Sequence, residues 1–372
     1  MSTNARIYLD FNATAPLASV AREAMQEAFA VVGNPSSIHA EGRRARDLVE
    51  RARTHVAVLL GRPREQVVFA SGGTEANALG VSALALAAER RGLPRIVATT
   101  PIEHPSLLGA VRALAHRGWA VRMLAVTGVG AVSSEGLEGV GLVAVSAVNH
   151  ELGTITDPGV YLAARAAGAL LHVDAVQAAG KRPLGGFDAD SLAISAHKLG
   201  GPQGVGALAL ALDDAVPIIE TGHQERGRRA GTENTIGIVG FGAAAAAIEL
   251  ATWPAVAALG DRFEEALVLV EGTRIHGAGT PRVGGTVNVG FAGALGESVV
   301  IALDLEGIAV STGAACTSGS VQPSAVLLGL GQGPDVAREA VRFSLGRATR
   351  LAEIDRVLAV LPAVIARSRR HR

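Results

Sequence analysis

The chain of 372 residues is longer than one hydrophobic core usually supports, so we expect a large domain and a smaller one. Hydrophobic residues make up 49% of it and aromatic residues only 3%, so alanine, valine and leucine must fill most of the core. Basic and acidic residues number 34 each, which gives no electrostatic reason to expect nucleic acid or an anionic membrane as a partner. The single cysteine, Cys316, excludes an internal disulfide and a cysteine-cluster metal site, and we expect no metal.

The N-terminal residues 1–16 contain no apolar run of the signal-peptide type. Later hydrophobic windows are interrupted by charge before they reach the ~20 residues of a membrane span. We therefore expect a soluble, cytoplasmic protein. The closing residues RSRRHR are expected to form a solvated tail.

The predicted elements alternate between helix and strand along the chain. Two helical stretches are expected within residues 16–61, with Ser36 or Ser37 as the N-cap of the second. Short buried strands are then predicted at 66–70, 95–99, 121–126, 142–148, 169–175, 191–195 and 206–212. Helices separate most of them, notably over 74–91 and 105–117. Continuous apolar strands interleaved with helices favour a mostly parallel sheet covered on both faces.

The spacing of the predicted helices and strands changes near residue 250, after a helix predicted over 235–250. A long helix follows, and strands are predicted near 285–290 and 342–345. We place the boundary between the two domains at this change.

Lys198 lies directly after an apolar strand and before a glycine-rich turn, in the segment SAHKLGGPQGVG. An ordinary surface lysine has polar neighbours. Partial burial at a strand end disfavours the ammonium form and frees the amine to attack an aldehyde. Because a lysine holds pyridoxal phosphate in this way, Lys198 is a Schiff-base candidate.

Ligands of doubly wound sheets bind at the carboxyl ends of the strands. Gly73 and Thr74 follow one predicted strand and open a helix, which indicates either a phosphate cradle or a glycine turn with a threonine cap. Asp174, with Gln177 three residues on, follows another strand. A carboxylate there can keep a pyridine nitrogen protonated, or it can cap the next helix.

Three further residues are candidates with an ordinary structural alternative. His104 can stack on a pyridoxal ring and move protons, or be a loop histidine. Asn149, next to His150, can anchor a substrate carboxylate or the phenolic oxygen of the cofactor, or be a turn asparagine. Arg342 is a candidate bidentate clamp for a carboxylate, with a surface ion pair as the alternative.

Cys316 lies in STGAACTSGSVQPS, a stretch of small and polar residues without apolar periodicity. A lone cysteine in such a loop is more typical of a reactive thiol than of a structural one, although a free thiol with a pKa of about 8.5 needs help to ionise. The sequence contains no GxxxxGK[ST] or HExxH motif, and its TGVG segment is too short for a dinucleotide fingerprint. Nicotinamide and metal chemistry are therefore not expected.

Taken together, these residues resemble the cysteine desulfurases of the nitrogen-fixation and iron–sulfur-cluster type. The likeness runs almost end to end, through YLDFNATAP, GNPSSIH, SGGTEANALG, IEH, VNHELG, HVDAVQAAGK, SAHKLGGPQG, QERGRRAGTEN, STGAACTSGS and RFSLGR. It implies the aspartate aminotransferase-like fold of type I pyridoxal-phosphate enzymes, an α/β fold with a mostly parallel central sheet plus a smaller α+β domain. The implied segments are 1–15, joining the small domain; 16–250, the large cofactor-binding domain; and 251–372, the small domain with the cysteine loop.

The resemblance also implies a role for each matching residue. Lys198 would bond the cofactor aldehyde, Asp174 would pair with the pyridine nitrogen, and Gln177 would contact the phenolic oxygen. His104 would stack on the ring and shuttle protons. The residues that would hold the phosphate are Gly73, Thr74, Ser195, His197 and, from the neighbouring subunit of a homodimer, Thr232.

For the substrate, the resemblance implies that Asn149 and Arg342 bind the carboxylate of L-cysteine and that Cys316 accepts its sulfur. The long loop is similar to those that deliver a persulfide to an acceptor protein, such as an iron–sulfur scaffold or a tRNA-thiolation enzyme. Thr221 and His223 depart from the family, which often has glycines there. A selenocysteine lyase, an aminotransferase of the same fold and a non-catalytic docking subunit are the alternatives.

Overall fold

The computed structural model describes residues 6–211, 221–313 and 322–370. The strands in these ranges are β1 (Ile7–Tyr8), β2 (Val67–Ala70), β3 (Ile96–Thr99), β4 (Ala120–Met123), β5 (Leu142–Ser146), β6 (Leu170–Asp174), β7 (Ser191–Ser195), β8 (Gly206–Leu210), β9 (Thr273–His276), β10 (Thr286–Phe291), β11 (Ile308–Ala309) and β12 (Ala340–Ser344). The α-helices are α1 (Ser19–Ala28), α2 (Ala40–Leu60), α3 (Gly73–Arg90), α4 (Pro105–His116), α5 (Pro158–Ala166), α6 (Thr235–Ala246), α7 (Trp253–Val268), α8 (Gly296–Leu305), α9 (Ala325–Gly329), α10 (Pro334–Arg338) and α11 (Leu351–Arg370).

Seven strands form one large sheet in the order β2-β8-β7-β6-β5-β3-β4. The strands from β7 to β4 are parallel, whereas β8 runs antiparallel to both of its neighbours. Val143 and Val145 of β5 face the hydrophobic cluster that contains α2 and α6. Leu142 and Ala144 face the cluster that contains α3 and α4. Continuous apolar strands are therefore buried on both faces, and the predicted α/β fold is confirmed.

One predicted strand differs in its burial. The expectation of a buried strand over 121–126 was wrong, because β4 is the last strand in the order and no other described strand pairs with its outer side. Val121 and Met123 are exposed there, and Arg122 donates to backbone carbonyls of the loop that follows the strand. Apolar composition alone does not distinguish an edge strand from a central one.

The small sheet is antiparallel, in the order β12-β10-β9, and a parallel pair of β1 and β11 lies with it. On one face Val287, Val289 and Phe343 join a hydrophobic cluster with α7, α8 and α11. Arg342 and Asn288 lie opposite each other on the other, polar face, as the period of two requires. Two packed regions therefore exist. The boundaries at residues 15 and 250 stay a prediction.

The start of α2 differs from the prediction. Its N-cap is His39, whose ring accepts a hydrogen bond from the Gly42 amide, rather than Ser36 or Ser37. Ser36 belongs to the preceding turn, where its amide donates to the side chain of Asn34. Ser36 therefore stabilises the turn, and His39 caps the helix.

The end of the chain also differs from the prediction. Residues up to Arg370 continue α11, so the expectation of a solvated tail was wrong for residues 367–370, whereas His371 and Arg372 lie outside the described residues. Ser368 is buried, and the Arg369 guanidinium donates to the backbone carbonyls of Glu271 and Ala292. Arg369 thus ties the last helical turn to residues that lie just before β9 and just after β10.

Among the described residues, no single helix has the length and apolar character to cross a membrane. The segments Thr235–Ala246 and Leu250–Val268 reach that length and hydropathy only together, and a bend of 61° separates them. The same part of the chain contains no group of three or more His, Cys, Asp or Glu residues that could hold a metal ion.

Candidate active site

Polar side chains from separate elements meet at the carboxyl ends of the parallel strands. Asp174 ends β6, Ser195 ends β7, and His104 directly precedes α4. Burial lowers the pKa of His104, and the nearby charges that also act on this pKa are those of Asp174, Lys198 and Arg342. The structure therefore brings together residues that the sequence predicted to converge.

Asp174 is a buried carboxylate held by two donors. Its Oδ2 accepts a hydrogen bond from Asn77 Nδ2 at 2.7 Å, and its Oδ1 accepts one from the Val176 amide at 2.9 Å. Burial raises the pKa of Asp174, so a cation or a further donor beside it would favour the charged form. Residues 176–181 form turns, so the alternative of a cap for a following helix was wrong.

Ser195 and the start of α3 form a concave polar site. The buried Oγ of Ser195 has no hydrogen-bond partner among the described residues. A Cβ on Gly73 would lie 3.4 Å from Ser195 Cβ and only 2.8 Å from Val176 Cγ2, so a glycine is required there. The first amides of α3, at Gly73 and the exposed Thr74, have no acceptor within the helix. A free hydroxyl, free amides and the positive helix end together suit an anion such as a phosphate.

Two other predicted phosphate contacts have different surroundings. His197 Nδ1 lies 3.1 Å from Thr14 Oγ1, and burial lowers the pKa of His197 to about 4. Its ring is therefore neutral near pH 7 and offers a hydrogen bond rather than a positive charge. Thr232 is exposed on the loop before α6, and its contact with a neighbouring subunit stays a prediction.

The loop that carries Thr232 contains two residues with left-handed backbones, Glu225 with φ 49° and Arg226 with φ 58°. The buried carboxylate of Glu225 accepts two hydrogen bonds from Arg53, at 2.6 and 2.9 Å, and one from a backbone amide of β2. Backbones of this kind are strained and persist only when their surroundings hold them. The turn after Thr221 and His223 is therefore anchored by its own ion pair.

Lys198 lies in a short 3-10 turn after β7 rather than at the strand end itself. Its Nζ donates to the backbone carbonyls of Asn12 at 2.5 Å and Ala13 at 2.7 Å. Burial lowers the pKa of Lys198 to about 8, and repulsion from Arg342 acts in the same direction. A sizeable fraction of this lysine is then the neutral amine near pH 7.5, which is the nucleophilic form.

Two imidazole rings line the site next to Lys198. His104 Nδ1 accepts a hydrogen bond from the Ser106 amide at 3.1 Å, so this residue is the N-cap of α4. Its ring meets that of His150 edge-on, with 5.0 Å between the ring centroids. Burial lowers the pKa of both histidines, so both rings are neutral near pH 7 and can accept a proton.

Asn149 adopts the turn geometry that was its structural alternative. Its Oδ1 accepts hydrogen bonds from the amides of Glu151 and Leu152 at 2.9 and 3.0 Å, and its Nδ2 donates to the carbonyl of Ile102 at 2.8 Å. An amide nitrogen carries two hydrogens, so one more donor is available. The predicted contact of Asn149 with a substrate carboxylate stays a prediction.

Arg342 is buried, so the alternative of a surface ion pair was wrong. Its Nη2 donates to Asp10 Oδ1 at 2.8 Å and its Nη1 donates to the carbonyl of His150 at 3.0 Å. Its Nε and the side-chain amide of Asn288, directly across the ladder, have no partner among the described residues. The guanidinium is thus fixed in place while part of its donor capacity is unused.

Cys316 lies outside the described residues. The chain on both sides of it, at Gly313 and Ser324, contacts the buried carboxyl group of Glu151. The Ser324 hydroxyl donates to Glu151 Oε2 at 2.6 Å, and a Cβ on Gly313 would lie 3.0 Å from the Glu151 carboxyl carbon. Both ends of the cysteine segment are therefore held next to the residue that follows His150.

The sequence analysis did not single out three residues of the site: Asn12, Asn77 and Glu103. The backbone carbonyl of Asn12 accepts a hydrogen bond from Lys198, and the side chain of Asn77 donates one to Asp174. Glu103 is buried, accepts hydrogen bonds from the Thr100 hydroxyl and the Ser146 amide, and has its pKa raised by burial to about 7. The only signal for these residues was their position inside the motifs that carry the resemblance.

A mostly parallel seven-stranded sheet with a strand-end aspartate and a lysine after the next strand is the arrangement of the type I pyridoxal-phosphate enzymes. The family model for class-V aminotransferases matches residues 7–357. The chain belongs to this family, whose members depend on pyridoxal phosphate.

Individual proteins are similar over nearly their whole length. The chain is 39% identical to cysteine desulfurase 2 of Trichormus variabilis, over 98% of this chain and 94% of that protein. It is 40% identical to a cysteine desulfurase of Enterobacter agglomerans, over 98% of this chain and 93% of that one. A solved structure of a NifS-like protein, 32% identical, superposes with a TM-score of 0.88 over 97% of this chain and 99% of the other.

Proposed function

We propose that this protein is a pyridoxal-phosphate-dependent cysteine desulfurase, which converts L-cysteine into L-alanine and carries the sulfur as a persulfide on Cys316. The observation that supports this most is the Lys198 amine with its lowered pKa, close to the buried carboxylate of Asp174. The relatives that are about 40% identical over almost the whole chain are themselves named cysteine desulfurases.

The residues present fit the cofactor. The unpartnered Ser195 hydroxyl beside Gly73 suits its phosphate, and the buried carboxylate of Asp174 suits a protonated ring nitrogen. The residues that would hold the group are Lys198 at the aldehyde, Asp174 at the ring nitrogen, Gln177 at the phenolic oxygen, His104 on the ring face, and Gly73, Thr74, Ser195, His197 and the Thr232 of a second subunit at the phosphate.

When bound, pyridoxal phosphate withdraws electrons from the substrate Cα and so weakens the bond from Cβ to sulfur. The residues of this chain orient the substrate and move its protons. Arg342, fixed by Asp10, and the spare Nδ2 hydrogen of Asn149 bind the carboxylate. The neutral amine of Lys198 takes the Cα proton, and His104, whose ring is neutral, is the second group that can transfer one.

Cys316 receives the sulfur. Its thiolate attacks the substrate sulfur, so a sulfur–sulfur bond forms as the bond from sulfur to Cβ breaks. The electron pair of that bond stays with the carbon skeleton, which is protonated and leaves as alanine. The contacts of Glu151 with Gly313 and Ser324 support this role, because they place these two described residues, one on each side of Cys316 in the sequence, next to the residue that follows His150.

The persulfide is passed to an acceptor protein for iron–sulfur cluster assembly or tRNA thiolation, and the enzyme works as a homodimer. The names of the relatives support the sulfur chemistry. The exposure of Thr232, on a loop held by the pair of Arg53 and Glu225, supports a contact with a second subunit.

The test is a product analysis with L-cysteine and the cofactor-loaded protein. In a single turnover we expect alanine and protein-bound sulfur in equal amounts. A keto acid in place of alanine would indicate an aminotransferase. Turnover of L-selenocysteine that greatly exceeds that of L-cysteine would indicate a selenocysteine lyase. A preparation that binds no cofactor would indicate a non-catalytic docking subunit.

A further inference from the structure

The sequence contains two lysines, Lys181 and Lys198, and all its other basic residues besides histidine are arginines. Both lysines lie at the candidate active site. Lys181 Nζ donates to Asn12 Oδ1 at 2.8 Å and to Gln177 Oε1 at 2.9 Å, and it lies 5.4 Å from the centroid of the Trp253 ring. Asn12 and Gln177 are both buried.

The two contacts of Lys181 determine how both amides are turned. Lys181 Nζ donates to both side chains, so the atom that faces it is the oxygen of each amide, and the amine keeps two N–H donors for these oxygens even when it is neutral. The nitrogens then face the opposite way. Gln177 Nε2 donates to the Asn12 carbonyl at 2.9 Å, and Asn12 Nδ2 donates to Thr286 Oγ1 at 3.0 Å.

The Asn12 carbonyl links this network to the reacting lysine. The same oxygen accepts hydrogen bonds from Gln177 Nε2 and from Lys198 Nζ, at 2.9 and 2.5 Å. Gln177 therefore presents donor hydrogens on the side of Lys198. The phenolic oxygen of the bound cofactor needs a donor, and the oxygen of a reversed amide would repel it.

We propose that Lys181 is a positioning residue that turns the Gln177 amide so that its Nε2 donors face the Asn12 carbonyl, Lys198 and the cofactor. This inference rests on the proposed function. In this role Lys181 acts through the Gln177 amide, to which its Nζ donates. An arginine is not an equivalent replacement for Lys181, because the guanidinium is larger and planar and presents its donors in a fixed fork.

The test compares Lys181→Met, Gln177→Met and the double variant as cofactor-loaded proteins. The readout is the pH midpoint of the visible cofactor absorption. Loss of a donor to the phenolic oxygen disfavours its charged form. We therefore expect the midpoint of Lys181→Met to rise by about one unit, as for the loss of one hydrogen bond to a charged group. Gln177→Met should shift it equally, and the double variant should shift it no further.

An unchanged midpoint in Lys181→Met, or additive shifts in the double variant, would overturn the inference. If Lys181→Met does not fold, Lys181→Gln keeps one donor nitrogen and should give a smaller rise, and an unchanged midpoint there would also overturn it. Failure of the proposed function is distinguishable, because it shows in the wild-type protein, as a missing cofactor band, a keto acid product or a strong preference for L-selenocysteine, and not in the midpoints of the variants.

Discussion

The amine of Lys198 and the backbone carbonyl of Asn12 lie 2.5 Å apart, although 186 positions separate them in the sequence. The residues next to Asn12 are held as well. The Asn12 amide donates to the Ser344 hydroxyl, and the Ala15 amide donates to the carbonyl of His197. The segment around Asn12 therefore forms one wall of the site and joins the small sheet to the strand ends of the large one.

Burial of Lys198 predicts that the cofactor-free protein becomes more stable as the pH rises from about 8 to 10.5. The pKa of this lysine is about 8 in the folded chain, against an ordinary value of 10.5. The unfolded chain therefore binds more protons in this window, and the free energy of unfolding rises with pH. The full effect is roughly 3 kcal/mol. Lys181, whose pKa burial lowers to about 7, contributes in the same direction.

Urea unfolding at pH 8 and pH 10 measures this effect. Wild-type protein should gain stability between the two values, and Lys198→Met should gain distinctly less. Equal gains in the two proteins would show that Lys198 is not buried as the structure has it.

Ser195→Ala should weaken cofactor binding without destabilising the cofactor-free protein. The Ser195 hydroxyl is buried and has no partner within the described residues, so its removal breaks no hydrogen bond of the apo fold. A hydrogen bond to a phosphate contributes about 1.5–3 kcal/mol, which corresponds to a roughly 10- to 100-fold weaker affinity. Titration of the apo protein with cofactor gives the affinity, and thermal unfolding gives the stability.

Ser191→Ala is the matched control for that experiment. Ser191 begins the same strand, but its hydroxyl is bonded to the buried His172 ring at 2.7 Å. We expect the opposite pattern, with lower apo stability and nearly unchanged cofactor affinity. Unchanged affinity in Ser195→Ala would contradict the assignment of a phosphate site to this residue.

The location of the site could be predicted from the sequence, but the hydrogen bonds that connect its residues could not. Asp174 and Ser195 end apolar strands, and parallel strands place their carboxyl ends at one edge, so their convergence follows from the pattern. The bond of Asn12 to Lys198 spans 186 positions and that of Asn77 to Asp174 spans 97, and no local pattern indicates them. The edge position of β4 escaped prediction for the same reason, because strand order is a property of the whole sheet.

Arg342→Lys should raise KM for L-cysteine by roughly 10-fold or more, with little change in cofactor affinity. A lysine keeps the positive charge but cannot make the paired hydrogen bonds of a guanidinium to a carboxylate. Steady-state kinetics measure the effect, and the exposed Arg338→Lys in α10 is the control that should leave KM unchanged. An unaltered KM in Arg342→Lys would remove this residue from substrate binding.

Cys316→Ser should abolish persulfide formation while it preserves the visible cofactor band. A serine hydroxyl is far less nucleophilic toward sulfur than a thiolate, and the residues that fit the cofactor are all elsewhere. Mass spectrometry of the protein after incubation with L-cysteine detects the added sulfur. A variant that still transfers sulfur at the wild-type rate would contradict the role of Cys316.

Borohydride reduction of the cofactor-loaded protein, followed by peptide mapping, tests the central claim most directly. Reduction fixes the bond between the cofactor aldehyde and its lysine, and this sequence offers only two lysine side chains for that bond. The account predicts a pyridoxyl label on Lys198 and none on Lys181. A label on Lys181, or a protein that takes up no cofactor and no label, would contradict it.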